Sequence, residues 1–209
     1  MTDERAGGLS TGVSLLDRAL GGGVPPRHLV ALTAAPRAQS EPLLYAMAAA
    51  NPTRYLSALR PAAEVEDAIR ASVDTTDAAI DVRAVNGDAV LSNPTEFLEG
   101  LDQHSVVVVD PTTELEQGDR ERYRAFLDTC KRALRTTDSV GLLHCHENTP
   151  SVLRRDMTLA RADQVWDVRV DAVDGQIETC LGVTKCRGGT PFGLLDLSFD
   201  GGVSAEPHQ

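Results

Sequence analysis

The sequence predicts an α/β domain in which helices flank a mostly parallel central sheet and a short antiparallel region extends it at the C-terminal side. Up to His146, short apolar segments alternate with helical patterns, the order that builds a parallel sheet. After Ala162, strand patterns follow one another with glycine turns between them, which is typical of antiparallel pairing. The chain has 209 residues, enough for one domain with a sizeable core. We therefore predict a single domain over residues 9–203, with tails at residues 1–8 and 204–209.

The N-terminal quarter predicts a helix, a strand and a second helix. Thr11–Leu20 places its apolar residues on one face, and the three glycines Gly21–Gly23 end that helix. Leu29–Leu32 is the first core strand. Pro42 suits the first turn of a helix, and Leu43–Ala50 continues that helix as an alanine-rich buried element.

The middle of the chain predicts alternating strands and helices. Three apolar strands are predicted at Arg54–Leu59, Asp81–Val85 and Ser105–Asp110. Helices are predicted at Pro61–Val73 and from an Asn93-Pro94-Thr95 cap to Leu101, with a turn at Asn86-Gly87. Glu121–Leu134 is the most strongly helical segment. The predicted strands that follow it are Val140–Leu143, Ala162–Val170, Ile177–Cys186 and Gly193–Phe199, with turns at Asp174-Gly175 and Asp200-Gly201-Gly202.

The charge balance is acidic and the chain is almost without lysine. There are 31 Asp and Glu residues against 20 Lys and Arg, a formal net charge of −11. Lys131 and Lys185 are the only lysines. This composition favours a salt-adapted archaeal protein, in which carboxylates keep the surface hydrated, over an ordinary acidic protein from a GC-rich organism. Nucleic-acid binding by bulk electrostatics is disfavoured.

The N-terminus is polar and acidic, and the apolar runs are too short to span a bilayer, so we expect a cytoplasmic protein with no membrane association. The four cysteines show no CxxC spacing and are interpreted as reduced and mostly buried. His144 and His146 lie two residues apart on a strand and share a face, an arrangement that is typical of metal ligands. Without a second cluster of ligands, the sequence favours a pocket wall there, and we predict no metal.

Residues 9–32, LSTGVSLLDRALGGGVPPRHLVAL, resemble the opening of the RecA superfamily, in particular its KaiC/RadA-like archaeal branch. The shared features are Ser10-Thr11-Gly12, Leu16-Asp17, the Leu20–Gly23 run and a following proline. The C-terminal ARADQVWDVRV segment and the Lys-x-Arg-Gly run from Lys185 also resemble that branch. The resemblance implies a RecA-like P-loop-type fold over nearly the whole chain.

The same resemblance identifies the positions of a nucleotide site, and the residues there are unsuited to it. The two Walker A glycines, the phosphate-binding lysine and the magnesium-binding Ser/Thr correspond to Ala34, Gln39, Ser40 and Glu41. A carboxylate at Glu41 would repel a triphosphate, and residues with a Cβ hinder the backbone approach that phosphates need. We therefore predict that neither ATP nor magnesium is bound with useful affinity.

Three further elements of the family's chemistry have counterparts in this chain, and one of them is altered. The acidic pair that activates water in catalytic members corresponds to Leu59 and Arg60, neither of which can act as a base at any relevant pH. Asp110 matches the Walker B aspartate and is the one ATPase element kept. Lys185 and Arg187 match the pair that reaches a neighbouring subunit's phosphate. They are candidate interface residues, with a solvated basic turn as the alternative.

The sequence thus favours a non-catalytic RecA/KaiC-like protein with no catalytic residues, which acts through a protein partner or as a homo-oligomer, in signal transduction or beside an active RecA-type ATPase. Two alternatives stay open: an ATPase with an atypical phosphate loop, and an accessory protein of DNA repair or recombination. Fold alone cannot choose among them, because function depends on the site.

Overall fold

The structure, a computed structural model, describes residues 7–73, 77–147, 152–173 and 176–208. Within these residues the strands are β1 Leu29–Ala34, β2 Thr53–Ser57, β3 Ile80–Ala84, β4 Val106–Asp110, β5 Val140–His146, β6 Gln164–Val173, β7 Gln176–Cys186, β8 Phe192–Ser198 and β9 Ser204–Pro207. The helices are α1 Ser14–Ala19, α2 Glu41–Ala50, α3 Ala62–Ser72, α4 Gly87–Ser92, α5 Pro94–Leu98, α6 Thr113–Glu116, α7 Arg120–Thr137 and α8 Arg155–Arg161. No helix among them is both long and apolar enough to cross a membrane.

All described strands belong to one sheet, in the order β3-β2-β4-β5-β1-β6-β7-β8-β9. The strands from β3 to β6 are parallel, and β6 to β9 pair antiparallel. This confirms the predicted fold class. Because β4 and β5 lie between β1 and β2, the carboxyl ends of β1, β5 and β4 lie side by side at one edge. In open parallel sheets, this edge is where ligands bind.

Two apolar layers cover the sheet. On one face Leu32 and Val108 pack in a cluster with Leu44 of α2, and on the other Val107 packs in a cluster with Phe126 of α7. Each of these side chains is fully buried, and burial of such a side chain is worth roughly 1.5–3 kcal/mol. The alternation along β4 explains why its unbroken valine run is a strand covered on both faces.

The N-terminal motif is held together by Asp17. Its carboxylate accepts hydrogen bonds from Ser10 Oγ at 2.7 Å, Thr11 N at 2.7 Å and Thr11 Oγ1 at 2.6 Å. Gly12 has a φ of +77°, and a Cβ there would lie 2.4 Å from the carbonyl oxygen of Ala46. Glycine is therefore required at this position to seat the segment against α2.

Three local predictions were wrong. Asn86 does not form a turn but caps α4, because its side chain accepts from the backbone N–H groups of Asp88 and Ala89. The helix predicted to reach Leu101 ends at Leu98. Residues 204–207, predicted as a tail, form β9 and pair with β8. Residues 1–6 of the tail predicted at residues 1–8, and the predicted Asp174-Gly175 turn, lie outside the described residues.

Candidate functional site

The positions that the sequence assigned to nucleotide binding meet at the carboxyl edge of the sheet. Ala34 ends β1 and is fully buried, and Asp110 ends β4. Gln39 and Ser40 close the loop after β1, and Glu41 begins α2. Of these residues, the structure links Ser40 to Asp110 through His144, whereas Gln39 is exposed and lines a cleft with Val170 and Asp171.

A buried chain of hydrogen bonds crosses this edge. Ser40 Oγ lies 2.9 Å from His144 Nε2, and His144 Nδ1 lies 2.6 Å from Asp110 Oδ1. The other carboxylate oxygen of Asp110 accepts from the Tyr55 hydroxyl at 2.5 Å. Ser40 is 1% exposed, His144 0% and Asp110 5%. Four polar side chains from four separate segments therefore satisfy one another without solvent.

The charge on Asp110 sets the direction of these bonds. Burial raises the pKa of Asp110, but the hydrogen bonds from His144 and Tyr55 outweigh burial, and the pKa lies below its ordinary value. A carboxylate only accepts, so Nδ1 of His144 donates to it. The other ring nitrogen, Nε2, faces the Ser40 hydroxyl. Burial, and then the charge of Asp110, raises the pKa of Tyr55, which keeps its hydroxyl proton as the donor.

The loop before α2 does not have the form of a phosphate nest. Its backbone turns back on itself, since Ala38 N donates to the carbonyl of Ala35 at 2.8 Å. None of residues 35–41, all of which are described, has a positive φ, whereas a nest alternates right- and left-handed residues. The Ser40 hydroxyl is hydrogen-bonded to His144 and makes no capping bond to α2. The charge of Glu41 acts on His146 and Tyr45 at this edge. These residues do not fit a triphosphate with its metal.

Leu59 and Arg60, at the positions of the water-activating acidic pair, differ in their surroundings. Leu59 is 61% exposed. Arg60 donates a hydrogen bond to the Tyr45 hydroxyl, and its guanidinium carbon lies 5.8 Å from the centre of that ring. Both the hydrogen bond and the ring contact tie the arginine to α2.

The end of β5 is fixed by an ion pair that the sequence did not reveal. Glu116 is fully buried and accepts from Arg155 Nη2 at 2.8 Å and Nε at 3.0 Å. The same guanidinium donates to the carbonyl of His146 at 2.8 Å. Thr113 Oγ1 accepts from the backbone N–H of His146 at 2.9 Å. Removing either charge of such a pair leaves the other buried without compensation.

His146 stands next to the chain of hydrogen bonds. Its ring meets that of His144 edge to face, with centroids 4.5 Å apart, so the predicted shared face of the two histidines is confirmed. Burial and the neighbouring His144 lower the pKa of His146. Asp110, His144 and His146 bring one ligand atom each within 4.8 Å of the others. However, both ring nitrogens of His144 already have partners, so a metal would have to break one of those bonds.

Ser40, His144 and Asp110 are hydrogen-bonded in the same order as the triad of serine hydrolases. In that arrangement the ring can take the hydroxyl proton while the carboxylate stabilises the imidazolium. A nucleophile must also reach a substrate carbonyl, and Ser40, which is 1% exposed, is not accessible to a substrate. In this conformation the three residues form a structural unit.

Lys185 and Arg187 lie at the opposite edge of the parallel sheet, near the start of β1. Lys185 Nζ donates to the carbonyl of Leu159 at 2.7 Å, at the end of α8. Arg187 Nη1 pairs with Asp163 at 3.1 Å, and its side chain is 58% exposed. Strand β1 alone spans roughly 16 Å at about 3.3 Å per residue. The two cations therefore do not reach this chain's own loop, and a role at a subunit interface stays a prediction.

The comparisons with known proteins agree with this architecture. A model of a family of unknown function, DUF7125, matches residues 8–206. The chain belongs to this family. A solved KaiC-like protein, PH0186 from the hyperthermophilic archaeon Pyrococcus horikoshii OT3, aligns with the DUF7125 chain at a TM-score of 0.77. The alignment covers 95% of this chain and 98% of that one at 14% identity, which shows the RecA/KaiC-like fold alone. No curated protein matches the sequence.

Sequence reasoning singled out Ser40, Asp110 and His144 separately, but it missed their contact. It also missed Tyr55, which it placed in a strand without a role. The available signal was that Asp110 and His144 both stand at the ends of apolar strands. Only the strand order, with β5 between β4 and β1, puts those ends beside Ser40.

Proposed function

We propose that this DUF7125 protein is a non-catalytic RecA/KaiC-like domain that acts by binding another protein, as a regulator or a partner of an active RecA-type ATPase. One observation carries the proposal. The side chains at the positions for phosphate and metal are hydrogen-bonded to each other in the buried chain of Ser40, His144, Asp110 and Tyr55.

The strength of the hydrogen bonds to Asp110 supports the proposal. A magnesium ion would have to displace His144 or Tyr55 from Asp110, and each hydrogen bond to a charged group is worth about 1.5–3 kcal/mol. Breaking one of these bonds would weaken binding by about one to two orders of magnitude, and breaking both by about two to four, at 1.4 kcal/mol for each factor of ten. The loop offers no lysine to offset this loss. A nucleotide therefore competes against the folded protein's own contacts.

The same edge of the sheet offers a surface for a protein. Leu59 is 61% exposed where catalytic relatives carry an acid. Beside it, Ala58 lines a cleft of about 550 Å³ whose walls include Asp88 and Glu114. An exposed leucine next to carboxylates suits a partner segment that presents an apolar and a basic side chain.

Calorimetric titration with ATP and magnesium in high salt tests the nucleotide part of the proposal. We expect no heat of binding. A dissociation constant in the micromolar range, lost in Asp110→Ala, would instead support the ATP-binding alternative.

Affinity capture in high salt tests the partner part, with wild type, Leu59→Asp and the matched control Leu153→Asp, whose side chain is 68% exposed. We expect the Leu59 variant to lose bound protein that the Leu153 variant keeps. Equal capture by all three forms would remove Leu59 from any interface.

The hydrogen-bonding order of Ser40, His144 and Asp110 favours a second candidate, a serine hydrolase whose site opens on binding. A fluorophosphonate probe tests it directly. Labelling of wild type that is absent in Ser40→Ala would establish a reactive serine. An absence of labelling would mean that the buried hydrogen bonds of Ser40 have a structural role only. The burial of Ser40 leads us to expect no labelling.

A further inference from the structure

A second group of metal-binding side chains lies far along the chain from the carboxyl-edge site, on the antiparallel extension. Cys180 on β7 is paired in register with Asp196 on β8. Asp196 is in turn opposite Glu206 on β9, and His208 follows two residues later. Because residues opposite each other in a ladder share a face, β7 and β8 place Cys180 and Asp196 side by side, and His208, just after β9, brings its ring to the same spot.

The three donor atoms already lie close together. Cys180 Sγ is 3.2 Å from Asp196 Oδ1 and 3.8 Å from His208 Nδ1, and the Asp196 and His208 atoms are 2.6 Å apart. Ligand atoms around tetrahedral zinc lie roughly 3.3–3.6 Å from each other, given Zn–S near 2.3 Å and Zn–N near 2.0–2.1 Å. Both sulfur distances are within about 0.3 Å of that range. Only the hydrogen bond between Asp196 and His208 would have to open, by roughly 0.7 Å.

We propose that Cys180, Asp196 and His208 form a binding site for a zinc-like divalent transition-metal ion, with water in the fourth position. A thiolate, an imidazole and a carboxylate are the donor set that zinc prefers. The side chains of Asp196 and His208 are both 40% exposed, so an ion and its water can enter from solvent. Cys180 is 3% exposed and forms the floor of the site.

The electrostatics of the site favour a cation. The negative charges of Asp196, Glu178 and Asp171 act on Cys180 and attract a cation. Burial and these charges also raise the pKa of the thiol to about 11, so an incoming ion must displace its proton. The hydrogen bond that His208 donates to Asp196 raises the pKa of His208. On binding, the thiol would lose its proton to solvent as the metal–sulfur bond forms, and a protonated imidazole would likewise lose one. One thiolate and one carboxylate then balance the two positive charges of the ion.

Such an ion would fasten the edge of the sheet. Strand β9 has four residues and pairs only with β8 among the described strands. A metal held by residues of β7, β8 and the end of β9 would cross-link all three. The folded protein would then gain stability with metal concentration, because the unfolded chain does not hold the three ligands together.

Titration of the full chain with Co²⁺ under reducing conditions tests the proposal. We expect a thiolate-to-cobalt charge-transfer band that saturates at one ion per chain and is displaced by Zn²⁺. Cys180→Ser should lose the band, and the matched control Cys186→Ser should keep it. His208→Ala should weaken Co²⁺ binding at least tenfold, and it changes an exposed side chain near the C-terminus.

Two results would overturn the proposal. One is the absence of the band, or a band that is unchanged in Cys180→Ser. The other is binding that survives His208→Ala but is lost in His146→Ala, which would place the ion at Asp110, His144 and His146 instead. A rise in melting temperature with Zn²⁺ that is present in wild type and absent in His208→Ala would support the site independently of the spectrum.

Discussion

Replacing Asp110 by asparagine separates a structural hydrogen-bond chain from a nucleotide site. The substitution keeps the shape of the side chain but exchanges one carboxylate oxygen for an NH₂ group. In wild type, one oxygen accepts from His144 at 2.6 Å and the other from Tyr55 at 2.5 Å. The amide can accept from only one of these donors, and its NH₂ faces the other. We therefore expect the variant to be less stable.

The expected loss follows from these two contacts. One charge-assisted hydrogen bond is lost, worth about 1.5–3 kcal/mol, and the other is weakened because its acceptor is no longer charged. The sum is about 2–4 kcal/mol. For a chain of this size 1 kcal/mol shifts the melting temperature by about 2–4 °C, so we expect a fall of roughly 5–15 °C. An open nucleotide pocket would behave differently, since removing its unpaired carboxylate leaves the empty protein unchanged or stabilises it.

The stability difference between wild type and Asp110→Asn should depend on pH in a defined direction. The pKa of Asp110 in the folded protein lies below the ordinary value of 3.8, so the unfolded chain takes up the proton more readily. The stabilisation is therefore complete well above pH 3.8 and is lost as the pH falls through the folded pKa. The amide that replaces this carboxylate does not titrate, so the gap between wild type and Asp110→Asn should narrow in acid.

Thermal unfolding followed by circular dichroism in high salt, at neutral pH and in acid, measures both effects. The exposed Asp200→Asn is the control for losing a carboxylate from an acidic chain. If Asp110→Asn melts within about 2 °C of wild type at neutral pH, a difference below about 1 kcal/mol, the chain of hydrogen bonds does not stabilise the fold.

Three further predictions concern the N-terminal motif, the acidic surface and the basic turn. Gly12→Ala should lower the melting temperature, because its Cβ would meet the Ala46 carbonyl, whereas Gly7→Ala, with open space around it, should not. The melting temperature should rise between 0.1 M and 1 M salt, as the screening length falls from about 10 Å to about 3 Å, and no change would count against salt adaptation. Lys185→Glu with Arg187→Glu should reduce the assembly size measured by chromatography in high salt. An unchanged size with an intact fold would mean that these cations serve only contacts within the chain and no subunit interface.

The order of strands and helices could be predicted because each element carries its own local pattern. The valine run that ends at Asp110 needs burial on both faces, and the apolar stripe of Glu121–Leu134 needs one covered face. The ends of the elements were less predictable, because the same residues can form either a helix cap or a turn. Asn86 followed by glycine fits a turn as well as a helix start, and the cap was decided by the two backbone N–H groups that its side chain reaches.

The polar contacts of the candidate site could not be predicted, since they depend on which strands become neighbours. Ser40 and His144 are separated by 104 positions in the sequence, and no spacing rule links them. The same holds for Cys180, Asp196 and His208, whose contact depends on the register of two strand pairs. The residues of this loop predict poor binding of a triphosphate, but they do not reveal which groups meet there.

The persistence of the N-terminal motif in a chain with an altered phosphate loop has a physical cause. Asp17 binds Ser10 and Thr11, and Gly12 lies against the backbone of α2, so these motif residues stabilise one another and the packing of the first helix. None of these contacts involves the loop of residues 35–41. A loss of phosphate binding would therefore remove no support from the motif, and a loss of the motif would damage the fold whether or not nucleotide is bound. A match confined to this motif is thus evidence for the architecture, and the chemistry must be judged from the loop and from the side chains that β4 and β5 bring against it.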